Sequence, residues 1–292
     1  MFHLSNDSGL FRTRLQLETD GWVLKGNVFQ KGTSRYLPLY EDWMIHQFTH
    51  RFQTDGGHAP EETDLNDPAW LPIPRYFVPD AEINRRMDTD VAPNSLIGFR
   101  NRTRGTDSRT LVVAEIPHYA GVGNPVPLVF TKFIGGTTKS VLVSNLNSFV
   151  CDYVVRQKVG GLNMNFFYVK QFPVLPPIAY TDRAREFFIA RGLELTYTAW
   201  DMRQYADGMS YSGPPFRWDP NRRFVIRCEL DAAFFHLYEI ERDDVDYIME
   251  TFPIVKRHDE RDHNEYRTKR VILEIYDEMK VATDAGIEYR TR

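Results

Sequence analysis

Short apolar runs broken by polar turns open the chain. In LQLETDGWVLKGNVFQKG the Asp-Gly and Lys-Gly pairs interrupt the apolar positions every few residues, which predicts β structure over residues 1–40. SRYLPLYEDWMIHQFTHRF then predicts a helix, because Tyr40, Met44 or Ile45, and Phe48 share one face at helical spacing. Residues 54–74, TDGGHAPEETDLNDPAWLPIP, lose all periodicity and are rich in Gly, Pro and acids. They read as a linker that demands no packed core, and as the best boundary in the N-terminal half.

From Arg75 the pattern is mixed. An extended Tyr76-Phe77-Val78 precedes a short helix over 80–87, and RTLVVAEIPH, PVPLVFTKFI and SVLVSN read as three apolar strands. A helix over 147–159 follows, carrying apolar Phe149, Tyr153 and Val154 at i, i+4 and i+5. It meets Gly160-Gly161, an Asn-rich aromatic loop and the prolines of FPVLPP. After Pro177 only helices are expected: AREFFIARGLEL with a weak stop at Gly192, FVIRCELDAAFFHLYEI, RDDVDYIMETF and EYRTKRVILEIYDEMKVA. The predicted class is α+β, a β-rich middle region ahead of a helical C-terminal region. No internal repeat or low-complexity tract interrupts it.

Composition narrows the function classes. With 292 residues and 42% hydrophobic content the chain can bury a sizeable core. A net charge of -4 announces no global attraction to nucleic acid, so any basic surface must be local. Cys151 and Cys228 stand far apart among apolar neighbours, which suits buried thiols in a reducing compartment and makes the cytoplasm the expected location. No run of apolar residues is long enough for a membrane span, and MFHLSNDSGLFRTR has no signal-peptide character.

Catalytic motifs are missing. An adenine amino-methyltransferase needs a Gly-rich cofactor loop and an Asn-Pro-Pro-aromatic tetrapeptide, whereas Asn-Pro occurs only in GNPVPL, and the prolines of SYSGPPFRW follow Gly213. Neither GxxxxGK[ST] nor GxGxxG is present. Asp80 with Glu278 and Lys280 could serve a metal-dependent nuclease, but they lie at opposite ends of the chain, and Glu278 falls on an amphipathic, solvated helix face. His46 and His50 share helical i, i+4 spacing without a third ligand nearby, and His258 and His263 sit in the mixed-charge stretch KRHDERDHNEYRTKR.

Two stretches gather basic and amide side chains. FRNRTRGTDSRTLVV carries Arg100, Asn101, Arg102, Arg104 and Arg109 against Asp107 alone. Guanidinium forks bind phosphate or guanine bidentately and Asn can do the same for adenine, so this is a candidate DNA-contacting strand and loop. Arginines alternating along one wet face of a strand would look the same. The second stretch holds Arg156, Gln157, Lys158, Asn163 and Asn165 around Gly160-Gly161, a pair that suits either close ligand approach or a helix C-cap.

Several long strings, among them SRYLPLYEDWMIHQFTHRF, PRYFVPDAEI, GFRNRTRGTDSRTLVVAEIPHYAGVGNPVPLVF, NSFVCDYVVRQKVGGLNMNFFYVKQFPVLPP and TFPIVKRHDE, resemble the C-terminal part of large adenine-N6 DNA methyltransferases. These are the fused restriction-modification enzymes called type IIG and their relatives in phage-defence systems. The resemblance runs in order over nearly the whole chain. It implies an N-terminal segment over 1–74, a target recognition domain over 75–178 closed by FPVLPP, and a helical domain over 179–292. It also implies that the catalytic half, with its S-adenosylmethionine site, would precede residue 1, so that this chain is a piece or a split product that neither methylates nor cuts alone and holds no cofactor itself. Expected partners are double-stranded DNA and a methyltransferase catalytic domain or subunit, with no membrane. Arg100, Asn101, Arg102, Arg104, Arg109, Lys132, Lys139, Arg156, Lys158, Asn163 and Asn165 are then the expected DNA contacts. A docking module with little DNA binding of its own is the competing reading.

Overall fold

Among the described residues, eight strands fall in the N-terminal half: β1 (Val23–Lys25), β2 (Val28–Lys31), β3 (Ser34–Tyr40), β4 (Phe77–Pro79), β5 (Ser95–Phe99), β6 (Val113–Pro117), β7 (Gly121–Val122) and β8 (Leu128–Val129). Four short helices, α1 (Arg14–Thr19), α2 (Glu62–Asn66), α3 (Asp80–Arg86) and α4 (Gly136–Leu146), are interspersed or follow. The remainder is helical: α5 (Phe149–Lys158), α6 (Phe166–Val169), α7 (Asp182–Thr196), α8 (Arg203–Asp207), α9 (Pro220–Leu237), α10 (Arg242–Glu250), α11 (Pro253–His263) and α12 (Arg267–Asp284). The class is therefore α+β, as expected. This computed structural model describes residues 1–87, 94–103, 107–130 and 135–291.

The chain divides into two compact units that interleave along the sequence, where three consecutive segments are expected. The first comprises Met1–Arg102, Val112–Val143 and Gly192–Trp218; the second comprises Thr103–Leu111, Ser144–Arg191 and Asp219–Arg292. Two of the boundaries fall inside helices, one within α4 and one within α7 at Gly192.

In the first unit β1, β2, β3 and β4 pair antiparallel in that order, with β7 parallel to the end of β3, while β6, β5 and β8 form a second antiparallel sheet. Phe29 of β2 meets Phe77 edge-to-face at 4.9 Å, and Leu96, Ala114 and Ile116 join Tyr40, Met44 and Ile45 in one buried cluster. The α-helix expected over 41–53 is replaced by one 3-10 turn, Asp42–Met44, and a tight turn. Tyr40, Met44, Ile45 and Phe48 are all buried without sharing a helix face: His46 and Thr49 exchange both backbone hydrogen bonds across the tight turn, which holds Phe48 at φ 60°. His46 and His50 therefore do not share a helix face.

Residues 54–74 are no loose linker. Arg51, fully buried, donates from Nη1 to the carbonyls of Asp67 (3.0 Å) and Trp70 (3.2 Å) and from Nη2 to those of Leu65 (2.9 Å) and Thr198 (2.9 Å). Beside it the His50 Nε2 meets the buried Asp201 carboxylate at 2.9 Å. LQLET, expected as strand, lies in α1, opened by a reciprocal Thr13–Gln16 capping box. SVLVSN is likewise helical, inside α4. Residues 139–146 are buried at every position except the half-buried Leu142, so no polar face betrays the helical period. PVPLVFTKFI contributes only β8; its residues 131–134 lie outside the described residues.

A buried acid makes the first unit pH-sensitive. Glu115 of β6 is 1% exposed, and neither carboxylate oxygen receives a hydrogen bond. Burial pushes its pKa up to about 7, with Ser95 and Lys139 offsetting only part of the effect. A folded pKa above the unfolded value means that stability is highest with the acid protonated, falls as pH rises from about 4.5 to about 7, and is flat above. Glu115→Gln should remove that slope and stabilise the protein at pH 8 by up to about 3 kcal/mol, while remaining near neutral at pH 4.5. Urea unfolding at the two pH values checks both.

In the second unit the expected helix over 147–159 is present as α5, with the Ser148 hydroxyl capping its start. α9 packs on α12 and α5, Phe149 meets Phe252 edge-to-face at 4.7 Å, and the Arg191–Glu229 ion pair is buried at 2.8 Å. α7 runs straight through Gly192. α11 ends where Asn264 adopts the left-handed conformation at φ 57°. Both cysteines are buried and unpaired. Burial pushes the Cys151 thiol up to about 12, so neither side chain is poised as a nucleophile.

Candidate nucleic-acid interface

The arginines of residues 100–109 are largely committed to the fold. β5 stops at Phe99, so they do not alternate along a strand. Arg100 donates from Nε to the Ile45 carbonyl at 2.8 Å and lies over the Phe52 ring. The backbone N–H of half-buried Asn101 donates to the Pro125 carbonyl. Arg102 forms a two-pronged ion pair with Asp42 (2.8 and 2.9 Å), which raises its pKa and leaves its side chain 65% exposed.

Arg109 is an internal residue. Its Nε donates to the buried Asp152 at 2.8 Å, its guanidinium also reaches the Asn147 carbonyl, and it covers the Phe149 ring at 3.9 Å. Lys139 is buried in α4 near Glu115. Arg104 and Lys132 lie outside the described residues.

The second stretch presents itself differently. α5 ends at Val159, which turns extended, and neither Gly160 nor Gly161 takes the positive φ of a glycine cap. The loop is held by two tethers: Met164 is 1% exposed, and the Leu162 carbonyl accepts from the Thr103 N–H at 3.0 Å. With those two points fixed, Gly160, Gly161, Leu162, Asn163 and Asn165 face solvent, as do Phe166 and Phe167 of α6. Arg156 is partly withdrawn. It donates to the carbonyls of Asp107 (2.6 Å) and Ser108 (2.9 Å) and lies over Phe252 at 4.2 Å, and burial lowers its pKa.

Lys158 and Lys170 are exposed, and no hydrogen bond or ion pair holds either side chain among the described residues. No Asp or Glu occurs between Asp152 and Asp182. In a chain with 40 acidic residues this acid-free stretch of sequence is distinctive. The exposed Asp107, beside Arg156, offsets part of its charge. Arg156, Lys158, Asn163 and Asn165 thus fall on one largely exposed stretch of the second unit, with Lys170 and the two Phe rings as additions that motif reading passes over. The gap in acidic residues is the sequence signal that could have found them.

Asp80 accepts from Arg35 and Asn84, and no three metal-ligating side chains converge among the described residues. No helix there is long and apolar enough to cross a membrane. No family model matches the chain, and no curated protein or solved structure is detectably similar to it. The resemblance to adenine-N6 methyltransferases stands on the quoted strings alone.

Proposed function

We propose that the chain is a DNA recognition module of a restriction-modification or phage-defence adenine-N6 methyltransferase, without the catalytic core. The observation that carries this reading is the exposed stretch 158–170 of the second unit, which has no acid in its sequence and in which exposed Lys158 precedes and exposed Lys170 follows Asn163 and Asn165. Cations that hold no internal partner can grip phosphates and set register, and amide side chains beside them can read base edges. S-adenosylmethionine would belong to the catalytic half, whose flipped-out adenine this module would help present.

Fluorescence anisotropy with a random-sequence duplex at two salt concentrations tests the reading. Binding should weaken steeply with salt, and Lys158→Ala with Lys170→Ala should lower the slope of log K against log salt by about 2. Absence of duplex binding at low salt would overturn the assignment.

A second reading, docking onto a methyltransferase catalytic domain or subunit, is favoured by Val174 and Ile178, exposed on the proline segment at 39% and 89%. It predicts association with that partner that survives high salt.

A further inference from the structure

We propose that Phe166 and Phe167, with Leu162 beside them, form an apolar wedge that enters a base step of duplex DNA and parts the stack. This deepens the DNA-recognition reading and rests on it. The three side chains are 63%, 71% and 62% exposed. Leaving rings of this size in water forgoes roughly 1.5–3 kcal/mol each, so their exposure calls for an occupant.

The chain around them is built to hold them out. Met164 is anchored in the interior, and Thr103 tethers the Leu162 carbonyl. One turn of helix carries both rings at successive exposed positions, with Tyr168 edge-on to Phe167 at 5.7 Å and the Gln171 side chain donating to the Phe167 carbonyl at 3.0 Å. A wedge needs this rigidity, since ordering a floppy loop would consume the stacking energy.

Charge selects the occupant. Lys158 precedes the rings and Lys170 follows them, both exposed, and the intervening sequence has no acid. DNA supplies the matching pair of features, anionic rails on either side of apolar base faces. Apolar side chains set among cations and amides are how kinking proteins insert between base steps, at an unstacking cost of a few kcal/mol per step. A protein partner would match the rings but would have to bring its own acids to match the lysines.

The unstacking cost gives the test. A duplex already opened by a single abasic site spares the wedge that cost, so the intact chain should bind it about tenfold or more tighter than the matched duplex of the same sequence. Phe166→Ala with Phe167→Ala should bind both duplexes equally while keeping the salt slope, and Phe166→Leu with Phe167→Leu should retain the preference. Both pairs of changes are at exposed positions, and far-UV circular dichroism verifies that the fold is intact.

An abasic preference that is absent in the parent chain, or that survives in the alanine variant, would overturn the wedge; salt-sensitive duplex binding in the same titrations would leave the recognition reading standing. No binding of either duplex at low salt would overturn both. A change of sedimentation mass in the alanine variant with an unaltered abasic preference would assign the rings to protein contact instead.

Discussion

Replacing Asp152 with Ala is expected to destabilise the second unit by about 3–5 kcal/mol. Asp152 is wholly buried and accepts from the Arg109 Nε at 2.8 Å, the Thr110 N–H at 3.0 Å and the Leu111 N–H at 3.2 Å. Its loss would leave a buried guanidinium and two amides with no acceptor there, and orphaned buried groups cost more than the net worth of the bonds that held them. The midpoint of thermal unfolding followed at 222 nm should fall on the order of 10 °C. Adding Arg109→Met should restore part of the loss, because the guanidinium is then no longer buried without its acid; the restoration is incomplete because buried Asp231 loses the favourable charge of Arg109. If Arg109 instead serves mainly as a DNA contact, Arg109→Met alone would weaken duplex binding without moving the unfolding transition. The geometry predicts the opposite order of effects.

Arg51→Met should cost the first unit about as much or more, on the order of 4–5 kcal/mol. Four carbonyls drawn from two stretches of the chain, 65–70 and Thr198, converge on one buried guanidinium, and Met can donate to none of them. The two effects are separable by probe. All five tryptophans, Trp22, Trp43, Trp70, Trp200 and Trp218, belong to the first unit. Urea unfolding followed by tryptophan fluorescence should therefore shift strongly for Arg51→Met and little for Asp152→Ala, provided the units unfold as separate transitions. A shift of less than about 1 kcal/mol for Arg51→Met would mean that water replaces the guanidinium and that residues 54–74 are as loosely held as their composition suggests.

The arginines of residues 100–109 also explain why the candidate interface was only partly legible. Arg100, Arg102 and Arg109 look alike in the sequence, yet each has an internal partner: the Ile45 carbonyl, Asp42 and Asp152. Charge clustering along the chain shows where cations are, whereas their availability depends on acids and carbonyls far away in sequence. Lys158, Asn163 and Asn165 remained exposed because nearby Met164 and the Leu162 carbonyl, rather than their own groups, pin the loop.

Local chemistry was sufficient for several elements. The Ser148 cap and apolar face of α5, the Asp219 cap with Pro220 opening α9, and the amphipathic repeat of α12 each place a helix without knowledge of its neighbours. Where a segment is buried on every side the sequence carries no period to read. So α4 could be mistaken for a strand, and the apolar spacing of Tyr40, Met44 and Phe48 for a helix. The sequence by itself determined the α+β class, the helical C-terminal region, the buried thiols and the absence of an acid across residues 153–181. Tertiary structure alone decided that residues 54–74 are bound to a core arginine, that the units interleave, and which cations face water. Each of those depends on pairing between groups distant in the chain, which no local pattern encodes.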